Sequence, residues 1–345
     1  MSDTASPGLT IADLHGLARG FVKTALLRTA FELVLFDRIA EGENSAEEIA
    51  RGVGADTRGV RVLCDGLAAI GVLRTVPGGY ALPEGGERYL VSSGPEYFGH
   101  AMRLSSSDWE WDAQKDLISA VRKGGTVADT HVMTPDFEYW HEFAEHTSWF
   151  NGGAADLMAD RLQEWAQERE SLEILDVACS HGAYGLGMAR RHPRARVRAV
   201  DWPSVLEITE RHAEQLGLRD RWSPLPGDMF DIDFGGPYDL VMLTNVLHHF
   251  DEETATTLLR RVAGALKPGG RIALVGHTYE DGQTPEENPL PFMFSVIMLV
   301  QSDHGETHSV GTYKRMIENA GLVDPQTYAG AKAMHRLFVA DRPLN

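Results

Sequence analysis

Glu173-Ile-Leu-Asp-Val-Ala-Cys-Ser-His-Gly-Ala-Tyr-Gly185 decides the fold, because it reads as a buried strand that breaks into a turn of small residues and opens a helix. Ile174, Leu175 and Val177 are strand formers, Ala178, Ser180 and Gly182 let a ligand approach the backbone, and an apolar helix from Tyr184 to Arg191 follows at once. A dinucleotide-binding turn needs G-x-G-x-x-G, and here Ala178 and Ser180 stand where its first two glycines belong. That disfavours a pyrophosphate-gripping turn, and with it NAD, while leaving room for another nucleoside.

The segments downstream sharpen this reading. Val197 to Val200 forms a second short strand ending in Asp201, at about the distance from Asp176 where a strand-end acid meets ribose hydroxyls. Gly227-Asp228-Met229-Phe230 sets an acid beside two apolar side chains, which suits an adenine whose amine donates while its faces pack. The strand Asp239 to Thr244 then runs into Asn245-Val246-Leu247-His248-His249-Phe250. A helix from Glu252 to Leu266 is expected to stop at Lys267-Pro268-Gly269-Gly270, with a further strand starting at Arg271.

In this order the segments from about Ser171 to Pro343 resemble a class I S-adenosylmethionine-dependent methyltransferase. The whole chain is similar to the small-molecule O-methyltransferases that carry an N-terminal winged-helix dimerisation domain. The resemblance implies an α/β fold: a Rossmann-like seven-stranded methyltransferase domain, its last strand (roughly His335 to Ala340) antiparallel, preceded by a mainly α winged-helix domain. The expected division is a dimerisation domain over 1–95, a helical connector roofing the acceptor pocket over 96–165, and a catalytic domain over 166–345. The resemblance further implies that Asp201, with Trp202 beside it, holds the ribose. Asp228, Met229 and Phe230 would hold the adenine, and Asp176, Ala178, Ser180, Gly182 and Asn245 would surround the methionine end.

Composition limits the function. A chain of 345 residues, 43% hydrophobic and 24% charged, is ordinary for a soluble globular protein of two domains. Cys64 and Cys179, both in apolar segments, point to buried thiols in a reducing compartment. The longest apolar run, Leu290 to Val300, falls short of the roughly 20 residues of a bilayer span. The N-terminus has neither basic stretch nor apolar core of a signal peptide, so no membrane association and a cytoplasmic location are expected. A formal net charge of −18 argues against nucleic acid as a partner. The point bears on Ser45 to Ala50, Thr57 to Ile70 and the Pro77-Gly78-Gly79-Tyr80 turn, which spell helix, helix and wing. Arg58 and Arg61 are the only basic residues on the second helix, flanked by Asp56 and Asp65, so a dimerisation role is favoured.

Leu9 to Ile39 carries apolar residues at helical spacing over more than one face, which calls for burial on several sides. The resemblance implies exchange of this segment between the subunits of a homodimer. The stretch from Glu96 to Leu162 is rich in aromatics, and in the resembled family this region roofs the pocket for a small-molecule acceptor. Trp140, Phe143, Phe150 and Met293 are its candidate lining residues, with His100 and Met102 as further candidates.

Methyl transfer from a sulfonium requires in-line attack, so the protein must orient the acceptor and, for a hydroxyl, remove its proton. His248 stands where the resembled enzymes keep their general base, with His249 beside it as a second candidate. Two departures stand out. His249 occupies a position that is commonly Asp in plant-type members, and the strand ending Val275-Gly276-His277 lacks the Glu that orients the base in many relatives. His304 and His308 enter a later loop. Together with His248 and His249 they suggest an alternative, a divalent or ferric metal assisting C-methylation of a 2-oxo acid, as in a small group of related bacterial enzymes. A third reading is a catalytically silent dimeric protein that keeps the cofactor fold.

Overall fold

The computed structural model describes residues 8–330 and 335–344, with the side chains of 148–152 outside that set. The chain divides into two compact units, 1–108 and 109–345. That boundary falls inside the segment 96–165.

In the first unit local chemistry sets the element ends. The Ser45 hydroxyl accepts from the Glu48 amide and the Glu48 carboxylate accepts from the Ser45 amide, a capping box that starts the helix Ala46–Val53. Asp56 caps Thr57–Ala69 in the same way through the Gly59 amide. The wing is a hairpin of β1 (Arg74–Val76) and β2 (Gly79–Ala81), turned at Gly78 with φ +89. Phe31, Leu35, Phe36, Ile49, Leu63 and Leu67 form the core, and Met102, a candidate for the acceptor site, is buried among them. His100 stacks edge-on against Tyr97 in the same unit.

Leu9 to Ile39 is not one helix but three, Ile11–Ala18, Gly20–Glu32 and Leu35–Ala40. The second break comes at Val34, held at φ 54, a left-handed conformation that a helix interior does not accommodate. Apolar spacing carried the helical signal across a break that it does not encode.

The second unit is built on a sheet whose central strands are buried on both faces and whose edge strands are not. Its strands are β3 (Leu172–Val177), β4 (Ala195–Asp201), β5 (Trp222–Pro226), β6 (Tyr238–Thr244), β7 (Leu266–Tyr279), β8 (His308–Ser309), β9 (Val323–Ala329) and β10 (His335–Asp341). Every residue of β6 is buried, the mark of a central strand with helices on both sides. Among the described residues the sheet order is β5-β4-β3-β6-β7-β10-β9, with the two-residue β8 paired to the end of β7. The first five strands on this path are parallel, and β10 is antiparallel to both β7 and β9, as the resemblance implied.

The expected helix stop at Lys267 to Gly270 is corrected. The helix Glu252–Gly264 ends earlier, and these four residues form the kinked start of β7. Gly269 (φ +69) takes the kink, and backbone bonds between Gly269, Gly270 and Arg342 satisfy the groups that a helix cap would otherwise serve.

This order places the site. Following the chain, β4 and β5 are added on one side of β3 while β6 and β7 are added on the other. Loops leaving the C-terminal ends of β3 and β6 therefore diverge, and the crevice between them is the switch point where open α/β sheets bind ligands.

Candidate active site

A cavity opens at this switch point, and the turn after β3 forms one wall. Ala178 (φ 56), Ser180 (φ 51) and Gly182 (φ 81) are left-handed, so the backbone bends sharply here rather than continuing the strand. Ala178 and Ser180 line the cavity. Gly182 does not; it is the N-cap of the helix Ala183–Arg191, where a Cβ would meet Thr209 Cγ2 at 2.6 Å. Asp176 also lies beneath the cavity rather than on it. Its Oδ2 accepts from the Gly185 amide at 3.0 Å, which orients the start of that helix, and burial pushes its carboxyl up to about 7.

Asp201 and Trp202, at the end of β4, both line the cavity. Asp201 Oδ2 accepts from the Ser180 amide at 2.8 Å and Oδ1 from the Trp202 amide at 2.9 Å. Each oxygen retains a lone pair, so the carboxylate is aimed and can still accept two hydroxyls. Burial raises its pKa to about 6, against the pull of those two amides. Asp228 and Met229 form the next part of the wall, with Asp228 Oδ1 held by the Phe230 amide at 2.8 Å. Phe230 itself faces an adjoining cavity and packs edge-on against Phe250, whose ring borders both spaces. Asn245, left-handed at φ 54, follows β6 and also lines the main cavity.

Trp140, Phe143, Met133 and His249 also line the cavity. Trp140 is fixed by its indole N–H donating to the Val132 carbonyl at 2.9 Å and meets the His249 ring edge-on at 5.4 Å. The two candidate bases differ in position. His249 lines the cavity, whereas His248 packs behind it at 4.5 Å between ring centroids, against His277 and Phe294. Burial brings the His249 pKa down to about 4; burial first, then its histidine neighbours, pushes His248 well below the usual range. Both are thus neutral at physiological pH.

The other expected residues fall elsewhere. Met293 is 62% exposed on the helix Pro289–Gln301 and is not among the residues lining the cavity. Phe150 lies outside the described residues. The metal set suggested by the histidines does not converge. His304 is exposed in the adjoining cavity, and the buried His308 uses Nε2 on the Phe250 carbonyl at 2.9 Å. Among the described residues no three His, Cys, Asp or Glu side chains are placed to hold a metal ion, so the donor set does not fit one. Sequence reasoning missed Met133, which carries no motif signal, and gave no role to Phe250 or His181, lining residues that lie inside the quoted Asn245 to Phe250 and Glu173 to Gly185 stretches.

A strand order with one antiparallel strand let in beside its end, and a switch-point cavity with an aimed acid, define an α/β protein of the methyltransferase class. The chain belongs to the O-methyltransferase family: the O-methyltransferase domain matches residues 114–323 and the O-methyltransferase dimerisation domain matches residues 16–92. A solved structure from Nostoc punctiforme, provisionally assigned as an O-methyltransferase, is 31% identical with a TM-score of 0.90, over 97% of this chain and all of that one. The 3-hydroxy-5-methyl-1-naphthoate 3-O-methyltransferase of Streptomyces sahachiroi is 25% identical over 91% of this chain and 90% of its own length. A human bifunctional dTTP/UTP pyrophosphatase/methyltransferase protein is 28% identical over 89% of this chain, which spans only 50% of that relative. Solved structures of the same fold, under 25% identical, hold S-adenosylmethionine or S-adenosylhomocysteine. The protein is an O-methyltransferase.

Proposed function

We propose that this enzyme moves a methyl group from S-adenosylmethionine to a hydroxyl of a small aromatic secondary metabolite. The carrying observation is one cavity lined both by the amide-aimed Asp201 and by His249, Trp140 and Phe143. Asp201 would accept the ribose hydroxyls, Asp228 and Met229 would hold the adenine, and the Ala178 to Ser180 turn would meet the methionine end. S-adenosylmethionine supplies a methyl carbon already activated by the positive sulfur. The chain's own work is therefore orientation and proton removal.

Trp140 and Phe143 offer apolar faces to a flat acceptor, and the neutral His248–His249 pair would receive its hydroxyl proton. His249 contacts the cavity, and His248 backs it. The naphthoate substrate of the Streptomyces sahachiroi relative supports an aromatic hydroxyl as acceptor. A homodimer fits the dimerisation domain, because the helix Ile11–Ala18 buries none of its residues and exposes Ile11, Leu14 and Leu17. The free, buried Cys64 and Cys179 support a reducing, cytoplasmic setting. Among the described residues no helix is long and apolar enough to cross a membrane.

The test is incubation of the protein with methyl-labelled S-adenosylmethionine and a panel of hydroxynaphthoates and phenols. A methyl ether on at least one acceptor, lost in Asp201→Ala, is expected. Cofactor binding with no ether from any hydroxyl would overturn the reading.

A further inference from the structure

A buried imidazole needs a partner for its donor and for its acceptor, so a position that asked only for bulk would be better filled by an apolar side chain. Four imidazoles nevertheless lie in file behind the cavity. His249 borders it, the His248 ring centroid is 4.5 Å from that of His249, His277 follows at 5.4 Å, and His335 lies a further 4.5 Å on. The sheet sets the last step, because the antiparallel register of β7 and β10 puts His335 directly opposite His277. All four are buried.

The Nδ1 atoms of His248, His249 and His277 are buried with no hydrogen-bond partner among the described residues. Orphaned nitrogens of this kind cost stability, which calls for a use other than packing. The separations of 4.5 to 5.4 Å bracket the roughly 5 Å at which two imidazoles bond edge to edge, an N···N contact of about 3 Å plus two ring radii. Histidine χ2 has a broad well, so neighbouring rings can turn to face one another. Phe294 covers the middle of the file, its ring 5.0 Å from His248 and 4.3 Å from His277. Burial first, then neighbouring imidazoles, brings the His277 pKa down to about 3 and holds His248 well below the usual range. A proton taken up by the pair therefore does not rest there.

We infer that His277 and His335 carry the acceptor's proton away from the His248–His249 pair, making the four rings one relay from the cavity to the start of β10. The inference rests on the proposed O-methylation and extends its proton removal. As the acceptor oxygen bonds to the methyl carbon, the C–S electron pair returns to sulfur and leaves a neutral thioether. The hydroxyl proton enters at His249; each ring takes a proton on one nitrogen and gives one up from the other. His335 releases one to solvent beside the half-buried Gly330, whose amide donates to the His335 carbonyl at 2.8 Å. One proton enters, one leaves, and every ring ends neutral. Neither His277 nor His335 lines the cavity, so both act through the pair.

The experiment measures single-turnover ether formation at about pH 8, with the full chain in excess over S-adenosylmethionine. The wild type is compared with His277→Ala, His335→Ala and His335→Gln. Two acceptors are used: a phenol or hydroxynaphthoate that the wild type methylates, and its nitro-substituted form. An ordinary phenol titrates at about 10 and is protonated at this pH, whereas the nitro form is already ionised and has no proton to give. With the protonated acceptor all three variants should slow by about tenfold, a share of the roughly 100- to 10,000-fold that proton transfer supplies. With the ionised acceptor they should match the wild type within about twofold. Packing damage would slow both acceptors alike, so equal losses would overturn the relay, as would no loss with the protonated one. Calorimetry with S-adenosylhomocysteine checks that each variant is folded, and His335→Gln, which keeps bulk and polarity at the β10 end, carries the comparison if an alanine variant is not. No ether from the wild type with any hydroxyl would instead sink the O-methylation reading, and the relay with it.

Discussion

At the residue scale the site depends on ionisable groups whose surroundings move them in opposite directions. Asp176 and Asp201 hold their protons more tightly folded than unfolded, with pKa values near 7 and 6 against an ordinary 3.8. The stability they contribute is full below about pH 4 and is lost as pH rises through 6 to 7. Donation by ribose hydroxyls favours the ionised form of Asp201, so the nucleoside should bind more tightly as pH rises from 5 to 7 and level off above. At pH 5 the affinity should be about tenfold weaker than the plateau. Calorimetry across this range, with Asp201→Asn showing no such slope, checks it. The Asp201→Ala change should cost about 100-fold or more in affinity, the range of two lost hydrogen bonds to a charged group at about 1.5–3 kcal/mol each. His249, near pKa 4, is neutral throughout this range. At saturating cofactor, kcat/KM for the acceptor should therefore show no acid limb at the usual histidine value near 6.5. His248→Ala and His249→Ala should each lower kcat by about 100-fold or more, with nucleoside affinity little changed in calorimetry.

At the element scale the join of β3 to its helix leaves no spare space. A Cβ on Gly185 would stand 2.6 Å from Asp176 Oδ2 and 2.9 Å from Val197 Cγ1. Gly185→Ala should therefore destabilise the protein by about 1–3 kcal/mol, read as a lower urea midpoint. The sequence made these elements legible where the chemistry is local. Ser45 and Asp56 mark helix starts, and the apolar runs of β3 and β6 mark central strands. It misplaced the Lys267 to Gly270 segment because Pro and Gly signal a break in the backbone and carry no information about the element on its far side. A strand edge contributed by Arg342, 72 residues after Gly270, decides that.

At the scale of the whole molecule, the helix Ile11–Ala18 has no buried residue and needs a partner for its apolar side. A Leu14→Glu, Leu17→Glu double variant should shift the mass in light scattering from dimer toward monomer. Read alone, the sequence determined the α/β class and the dimerisation unit, and it pointed to Asp201, Asp228 and the His248–His249 pair as candidates. Each of these is carried by residue type at short spacing, where backbone preference and side-chain chemistry act within a few positions. Only the tertiary structure decided which imidazole meets the cavity and that His304 and His308 do not join it. Those outcomes depend on how loops from distant strands converge at the switch point, a matter of packing between segments that no local spacing records.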